Sequence, residues 1–191
     1  MEHRHFHIPP DEERRRWQDP EGILAAVPVG EGETFVDVGC GHGLFALPAA
    51  HMIGEAGRVI AIDIDEERLR TLREQAAAQG LNNIETILGS GESSVPCRGC
   101  ADIVFFGTVL HDFEDPVQVI DNARLMLKPG GRLINLDWRK QEMEMGPPVR
   151  IRFDEEQASD LISSGGFEVV SVQPSGSYHY LVVAIPRPSS P

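Results

Sequence analysis

Three glycines at alternate positions, Gly39, Gly41 and Gly43, follow the apolar run Phe35-Val36-Asp37-Val38 and lead into Leu44. A strand ending in such a turn brings bare backbone up to a ligand that any Cβ would hold off. Asp63 closes a second apolar run, Val59-Ile60-Ala61-Ile62, twenty-two residues after Gly41. An acidic side chain at that distance and at a strand end accepts hydrogen bonds from ribose hydroxyls. Asp65 is placed to cap the next helix, which leaves Asp63 for a ligand. His111-Asp112 come shortly after the apolar run that ends at Phe106-Gly107. His111 is therefore a candidate general base for an oxygen or nitrogen nucleophile, with a structural histidine as the alternative. Asp137 and Trp138 end a further apolar run. Trp138 is a candidate wall for a substrate pocket and Asp137 a candidate to orient a polar substrate; core packing and a turn hydrogen bond are the competing readings.

Cys97-Arg98-Gly99-Cys100 is an isolated C-x-x-C, with Cys40 inside the glycine turn. Structural zinc needs four ligands, and no second Cys/His pair has finger-like spacing. A redox motif of the thioredoxin kind belongs at a helix start, whereas this one precedes a strand. The expectation is two loop cysteines and no metal. His3, His5 and His7 alternate in a polar N-terminal arm and read as a solvated stretch, with a metal site as the alternative. Phe6 and Trp17 suggest that the arm folds over the pocket as a lid, which would exclude water from the reaction centre.

The 191 residues, 41% hydrophobic and 25% charged, are expected to form one domain. Residues 1–19 are the arm and possible lid, 20–185 the catalytic domain and 186–191 a flexible tail. No run approaches a membrane span, and the polar N-terminus carries no secretory h-region. Three cysteines, an odd number, suggest no disulfide framework and a reducing cytoplasmic setting. With 17 basic against 30 acidic residues and a net charge of −13, nucleic acid is a disfavoured partner. The oligomeric state is not legible, a homodimer being one possibility.

Strand and helix signals alternate through the chain. Strands are expected at 34–38, 58–62, 84–88, 101–106 and 132–136, and helices at 20–27, 44–53 and 65–80. Asp115-Pro116 supply the N-cap and first position of a helix running to Leu127. Asp154 and Gln157 form a capping box for a last helix ending at Gly165-Gly166. Two final strands, 167–172 and 178–184, are joined by a short Pro174/Gly176 turn into an antiparallel hairpin. The alternation implies an α/β, mostly parallel, doubly wound sheet with helices on both faces.

A dinucleotide fingerprint would place a third glycine where Leu44 stands, which disfavours an NAD-binding oxidoreductase. The glycines at 39, 41 and 43 with Asp37 ahead of them resemble the first motif of class I S-adenosylmethionine-dependent methyltransferases. The later landmarks match in order: Leu88-Gly89-Ser90, the run 106–111, Leu127-Lys128-Pro129-Gly130-Gly131-Arg132-Leu133, and Gly165-Gly166-Phe167. The chain is similar to the type 11 group that includes ubiquinone/menaquinone-biosynthesis and arsenite methyltransferases, and within it to a short prokaryotic subfamily. The resemblance implies a Rossmann-like seven-stranded sheet of order 3-2-1-4-5-7-6 with the last strand antiparallel. It implies S-adenosylmethionine as cofactor, S-adenosylhomocysteine as product and a small-molecule methyl acceptor. Asp37, Gly39, Cys40 and Gly41 would serve the cofactor's methionine moiety, Asp63 the ribose, Ile64 the adenine face and Gly89-Ser90 the base edge. Phe106 and Gly107 would lie where methionine and substrate meet. Many relatives carry Asp where this chain has Ser90. A non-catalytic S-adenosylmethionine-binding or thiol-sensing module is the rival from another class.

Overall fold

The computed structural model describes residues 11–15 and 17–188. The expectations placed on His3, His5, His7 and Phe6 lie outside those residues. Two short helices, α1 (Asp11–Arg14) and α2 (Pro20–Ala25), precede a regular alternation of strands and helices. The strands are β1 (Thr34–Val38), β2 (Arg58–Asp63), β3 (Ile84–Leu88), β4 (Ala101–Gly107), β5 (Leu127–Trp138), β6 (Phe167–Ser175) and β7 (His179–Pro186). Between them run α3 (Ala46–Ile53), α4 (Glu66–Ala78), α5 (Pro116–Met126) and α6 (Glu155–Ser164). The sheet order is β3-β2-β1-β4-β5-β7-β6, with β7 antiparallel to both its neighbours.

The central strands read as near-continuous apolar runs because each face of the sheet is covered. Successive residues alternate between the two sides. Phe35, Val59, Ala61, Ile103 and Phe105 pack with α2, α3 and α4; Val36, Val38, Ile60, Ile62, Val104 and Phe106 pack with α5 and α6. Parallel register holds β1 between β2 and β4, with Val38 opposite both Ile62 and Phe106. Three strands thus end at one level, where crossovers lead into loops.

The helix starts are set by side chains. Asp65 accepts from Glu67 N–H, Asp115 from Gln118 N–H, and Asp154 with Gln157 closes a reciprocal box. Elsewhere the boundaries depart from the sequence reading. Residues 41–45 are turn, so α3 begins at Ala46 rather than Leu44. Pro129-Gly130-Gly131 lie within β5, which starts at Leu127; the register beside β4 jumps between Ala101 and Ile103 to absorb them. Pro174 belongs to β6, where an edge strand tolerates the missing donor.

Candidate functional site

Loops at the carboxyl ends of β1 to β5 enclose a cleft of about 1210 Å³, the position where open α/β sheets bind ligands. Gly39 (φ +75°) is required on two counts, since a Cβ there would come 2.6 Å from Val109 Cγ2. The turn is laced to β2: the amides of Gly39 and Cys40 both donate to the Ile62 carbonyl, and Gly41 N–H donates to Asp63 Oδ2 at 2.8 Å. Those N–H groups are engaged, so the turn is suited to a ligand that donates hydrogen bonds rather than to a phosphate.

Asp37, 1% exposed, lies beneath the turn, and its Oδ2 has no hydrogen-bond partner among the described residues. Burial, then the charge of Asp63, pushes its carboxyl up to about 7, against the pull of Arg14 and the Ala46 amide. A buried acceptor with an unused oxygen is the chemistry that receives a ligand ammonium. Asp63, 5% exposed, accepts from Gly41 and, through Oδ1, from Asp65 N–H at 3.0 Å. Ile64 next to it is 71% exposed at the mouth. Gly89 is tied to β2 through the Asp63 carbonyl, and Ser90 Oγ meets Ser93 Oγ at 3.0 Å. Asn122 on α5 donates to the carbonyls of Gly91 and Glu92, which pins this loop from below.

Beyond β4, Thr108 has φ +60°, a strained value for a non-glycine residue. A single 3-10 turn, Leu110–Asp112, then turns His111 inward. His111 Nδ1 and Asp137 Oδ1 are 2.6 Å apart, both buried, and the same oxygen accepts from Trp138 N–H. A neutral ring donating from Nδ1 keeps Nε2 as an acceptor; Nε2 is 3.5 Å from Asp112 Oδ1. Burial alone would lower the His111 pKa, but the Asp137 charge and hydrogen bond, then Asp112, more than offset it and raise it. The sequence suggested Asp137 and His111 separately and did not join them.

Nine of the ten residues expected to bind cofactor line the cleft, together with His111; the Phe106 side chain does not. Phe106 is fully buried in the α5/α6 face of the core, edge-on to Phe113. Arg152, 3% exposed, was missed: it donates to the carbonyls of Pro147, Arg139, Gln141 and Met145, holding the loop after β5 against the cleft. His179 is buried and stacks on Trp17 at 5.8 Å and against Trp138 at 4.3 Å. Burial, then Arg14 and Arg152, brings its pKa down to about 3, so it stays neutral.

The cysteines require a correction. Cys97 and Cys100 form a disulfide, where none was expected. Amides of Gly99 and Cys100 bond to the Leu125 and Met126 carbonyls, and the folded-back loop brings the two Cα atoms to 5.9 Å. Cys40 is free and buried in the cleft, its thiol pushed up by burial and then by Asp37 and Asp63. Among the described residues no group of three or more His, Cys, Asp or Glu is placed to hold a metal. No described helix is long and apolar enough to cross a membrane.

A family model for a methyltransferase domain matches residues 30–166. The chain belongs to that family. A SAM-dependent methyltransferase from Aquifex aeolicus has the same fold at TM-score 0.85, with 29% identity over 90% of this chain and 92% of that one. Nocamycin O-methyltransferase of Saccharothrix syringae is 33% identical over 111 residues, covering 58% of this chain and 40% of that protein. The fibrillarin-like rRNA/tRNA 2'-O-methyltransferase of Pyrobaculum islandicum is 26% identical over 188 residues, 91% of this chain and 78% of that protein. Demethylmenaquinone methyltransferases match as well, in keeping with the resemblance seen in the sequence. The chain spans roughly half or less of the first curated relatives' length (40%, 34% and 53%). The strand order implied by the resemblance is the one observed, and the cofactor of this methyltransferase family is S-adenosylmethionine.

Proposed function

We propose that the protein transfers the methyl group of S-adenosylmethionine to a hydroxyl or amine of a small molecule, with His111 as general base. The observation that carries this is a shared cavity: the floor of buried carboxyls Asp37 and Asp63 opens into the same cleft as the His111–Asp137 pair. Asp37 would receive the cofactor's ammonium at its unpartnered oxygen, with Gly39, Cys40 and Gly41 forming the turn around it. Asp63 would take the ribose hydroxyls, Ile64 would cover adenine, Gly89 and Ser90 would meet the base edge, and Gly107 would border the reacting carbon. The Phe106 side chain supports the site from the core. When bound, the cofactor would supply a sulfonium-activated methyl group, whose bond to sulfur breaks as the acceptor's lone pair bonds the carbon, leaving a neutral thioether. His111 Nε2 accepts the acceptor's proton, and Asp137 stabilises the resulting imidazolium and fixes the ring. The N-terminal arm would act as the lid, since Arg14 and Trp17 already line the cleft.

An RNA acceptor is disfavoured by charge. Nine carboxylate side chains line the cleft against two arginines, Arg14 and Arg68, in a chain of net charge −13. Methyl transfer from labelled cofactor, measured over small phenols, amines, thiols and transcribed RNA, tests the reading. Label on a small acceptor that falls by about 10²–10⁴-fold in His111→Asn is the expected result. Label on RNA, or a variant as active as the parent, would overturn it.

A further inference from the structure

Part of the cleft wall is supplied by two segments distant in sequence, α1 with Trp17 and the loop 139–147. The two tryptophans of the chain meet there, Trp17 and Trp138, with centroids 5.2 Å apart and planes tilted by 43°. Trp138 is backed by Gly146, where a Cβ would come within 2.8 Å of the ring, and by the Arg152 guanidinium at 5.7 Å. His179 packs against both indoles. Because Arg152 bonds four carbonyls of or bordering this loop, the wall is held in place before any ligand arrives. Glu13, Asp112 and Glu144 stand exposed around it, three carboxylates against the arginine Arg14 that lines the same cleft.

We infer that the acceptor is a planar aromatic hydroxyl or amine compound that is neutral or cationic, bound against the half-buried Trp17 where the buried Trp138 backs it, and that anionic acceptors are rejected by the carboxylate rim. Indole faces favour flat rings and cations, while like charges at the rim oppose a carboxylate or phosphate on the acceptor. The inference rests on the methyl-transfer reading of the same cleft and narrows it to a substrate class.

With both tryptophans lining the cleft, intrinsic fluorescence reports on it directly. Tyramine, 4-methylphenol and 4-hydroxyphenylacetate share a phenol and differ in tail charge. Each is titrated into protein saturated with S-adenosylhomocysteine. Tyramine and 4-methylphenol should quench, and 4-hydroxyphenylacetate should bind at least about 10-fold more weakly than tyramine, a ratio equivalent to ~1.4 kcal/mol. The Glu13→Lys/Glu144→Lys variant should narrow that gap to within about 3-fold, since both side chains are exposed and each contributes a modest charge interaction. Trp17→Leu should weaken tyramine binding about 10-fold without changing S-adenosylhomocysteine affinity, as expected for loss of an aromatic contact. Equal binding of the cationic and anionic probes, or no quenching by any of the three while S-adenosylhomocysteine binds, would overturn the inference. Failure of S-adenosylhomocysteine itself to bind would instead overturn the reading beneath it.

Discussion

The role proposed for Asp37, receiving the cofactor's ammonium, would make cofactor binding depend on pH in a calculable way. Its carboxyl sits at about 7 rather than at the ordinary carboxylate value of 3.8, chiefly through burial and secondarily through Asp63. That displacement of roughly 3 units corresponds to about 4 kcal/mol disfavouring the ionised form. An ammonium placed at Oδ2 favours the carboxylate, so binding near neutrality expels the proton. A group titrating at about 7 should release most of a proton per cofactor a unit below that value and progressively less as pH rises through it. Affinity should accordingly fall about 10-fold per unit below pH 7 and level off above it. Folding stability follows the same group with its own sign. A raised folded pKa favours the native state below about 3.8, and that advantage is lost as pH rises to about 7. Calorimetric titration of S-adenosylhomocysteine in buffers of unequal ionisation enthalpy measures the release. In Asp37→Asn the release should vanish, the affinity should become flat with pH, and stability above pH 7 should increase. A heat that does not depend on the buffer at pH 6–7, or a release that persists in Asp37→Asn, would refute the reasoning.

Other expectations concern the parts of the site that act indirectly. Asp137→Asn should lower turnover about 10²–10⁴-fold with cofactor affinity unchanged, because it orients His111 rather than touching the cofactor. The raised His111 pKa also predicts activity that climbs as pH passes above the ordinary histidine value of 6.5, and a profile that ignores pH there would contradict a base at this position. Arg152→Leu leaves four carbonyls without their donor and should destabilise the fold by about 2–4 kcal/mol in denaturant titration. A loss under half a kcal/mol would mean that the loop is held by other contacts. The Cys97–Cys100 bridge closes only a four-residue stretch outside the cleft, so Cys97→Ser/Cys100→Ser should cost at most about 2 kcal/mol and keep cofactor affinity; weakened cofactor binding would tie the bridge to the site.

What was legible in the sequence was what depends on local backbone demands. The 39/41/43 glycines announce a turn that only glycine can make where Val109 crowds it, and Asp65, Asp115 and Asp154 mark helix starts because orphan amides need acceptors. Strand cores were legible because both sheet faces are covered. Pairings between distant segments were not. His111 and Asp137 lie 26 residues apart on different elements, and only the β4–β5 register brings them together. Arg152 and His179 carry no periodic signal, since their partners are backbone carbonyls and indole faces supplied by separate loops. The disulfide was missed for a related reason: whether a C-x-x-C closes depends on the loop lying along the end of α5. Pro129-Gly130-Gly131 read as a break in the chain because a bulge that keeps pairing on either side has no distinct sequence pattern.

The central claim is that this cleft holds S-adenosylmethionine and not a nicotinamide dinucleotide. Thermal unfolding with each ligand tests it most directly. At 100 times its dissociation constant, S-adenosylhomocysteine should stabilise the native state by about 2.7 kcal/mol, which for a chain of this size raises the melting temperature by about 5–10 °C. S-adenosylmethionine should act in the same direction, and NAD and NADP should leave the transition where it is. A rise with NAD and none with either adenosyl ligand would contradict the account.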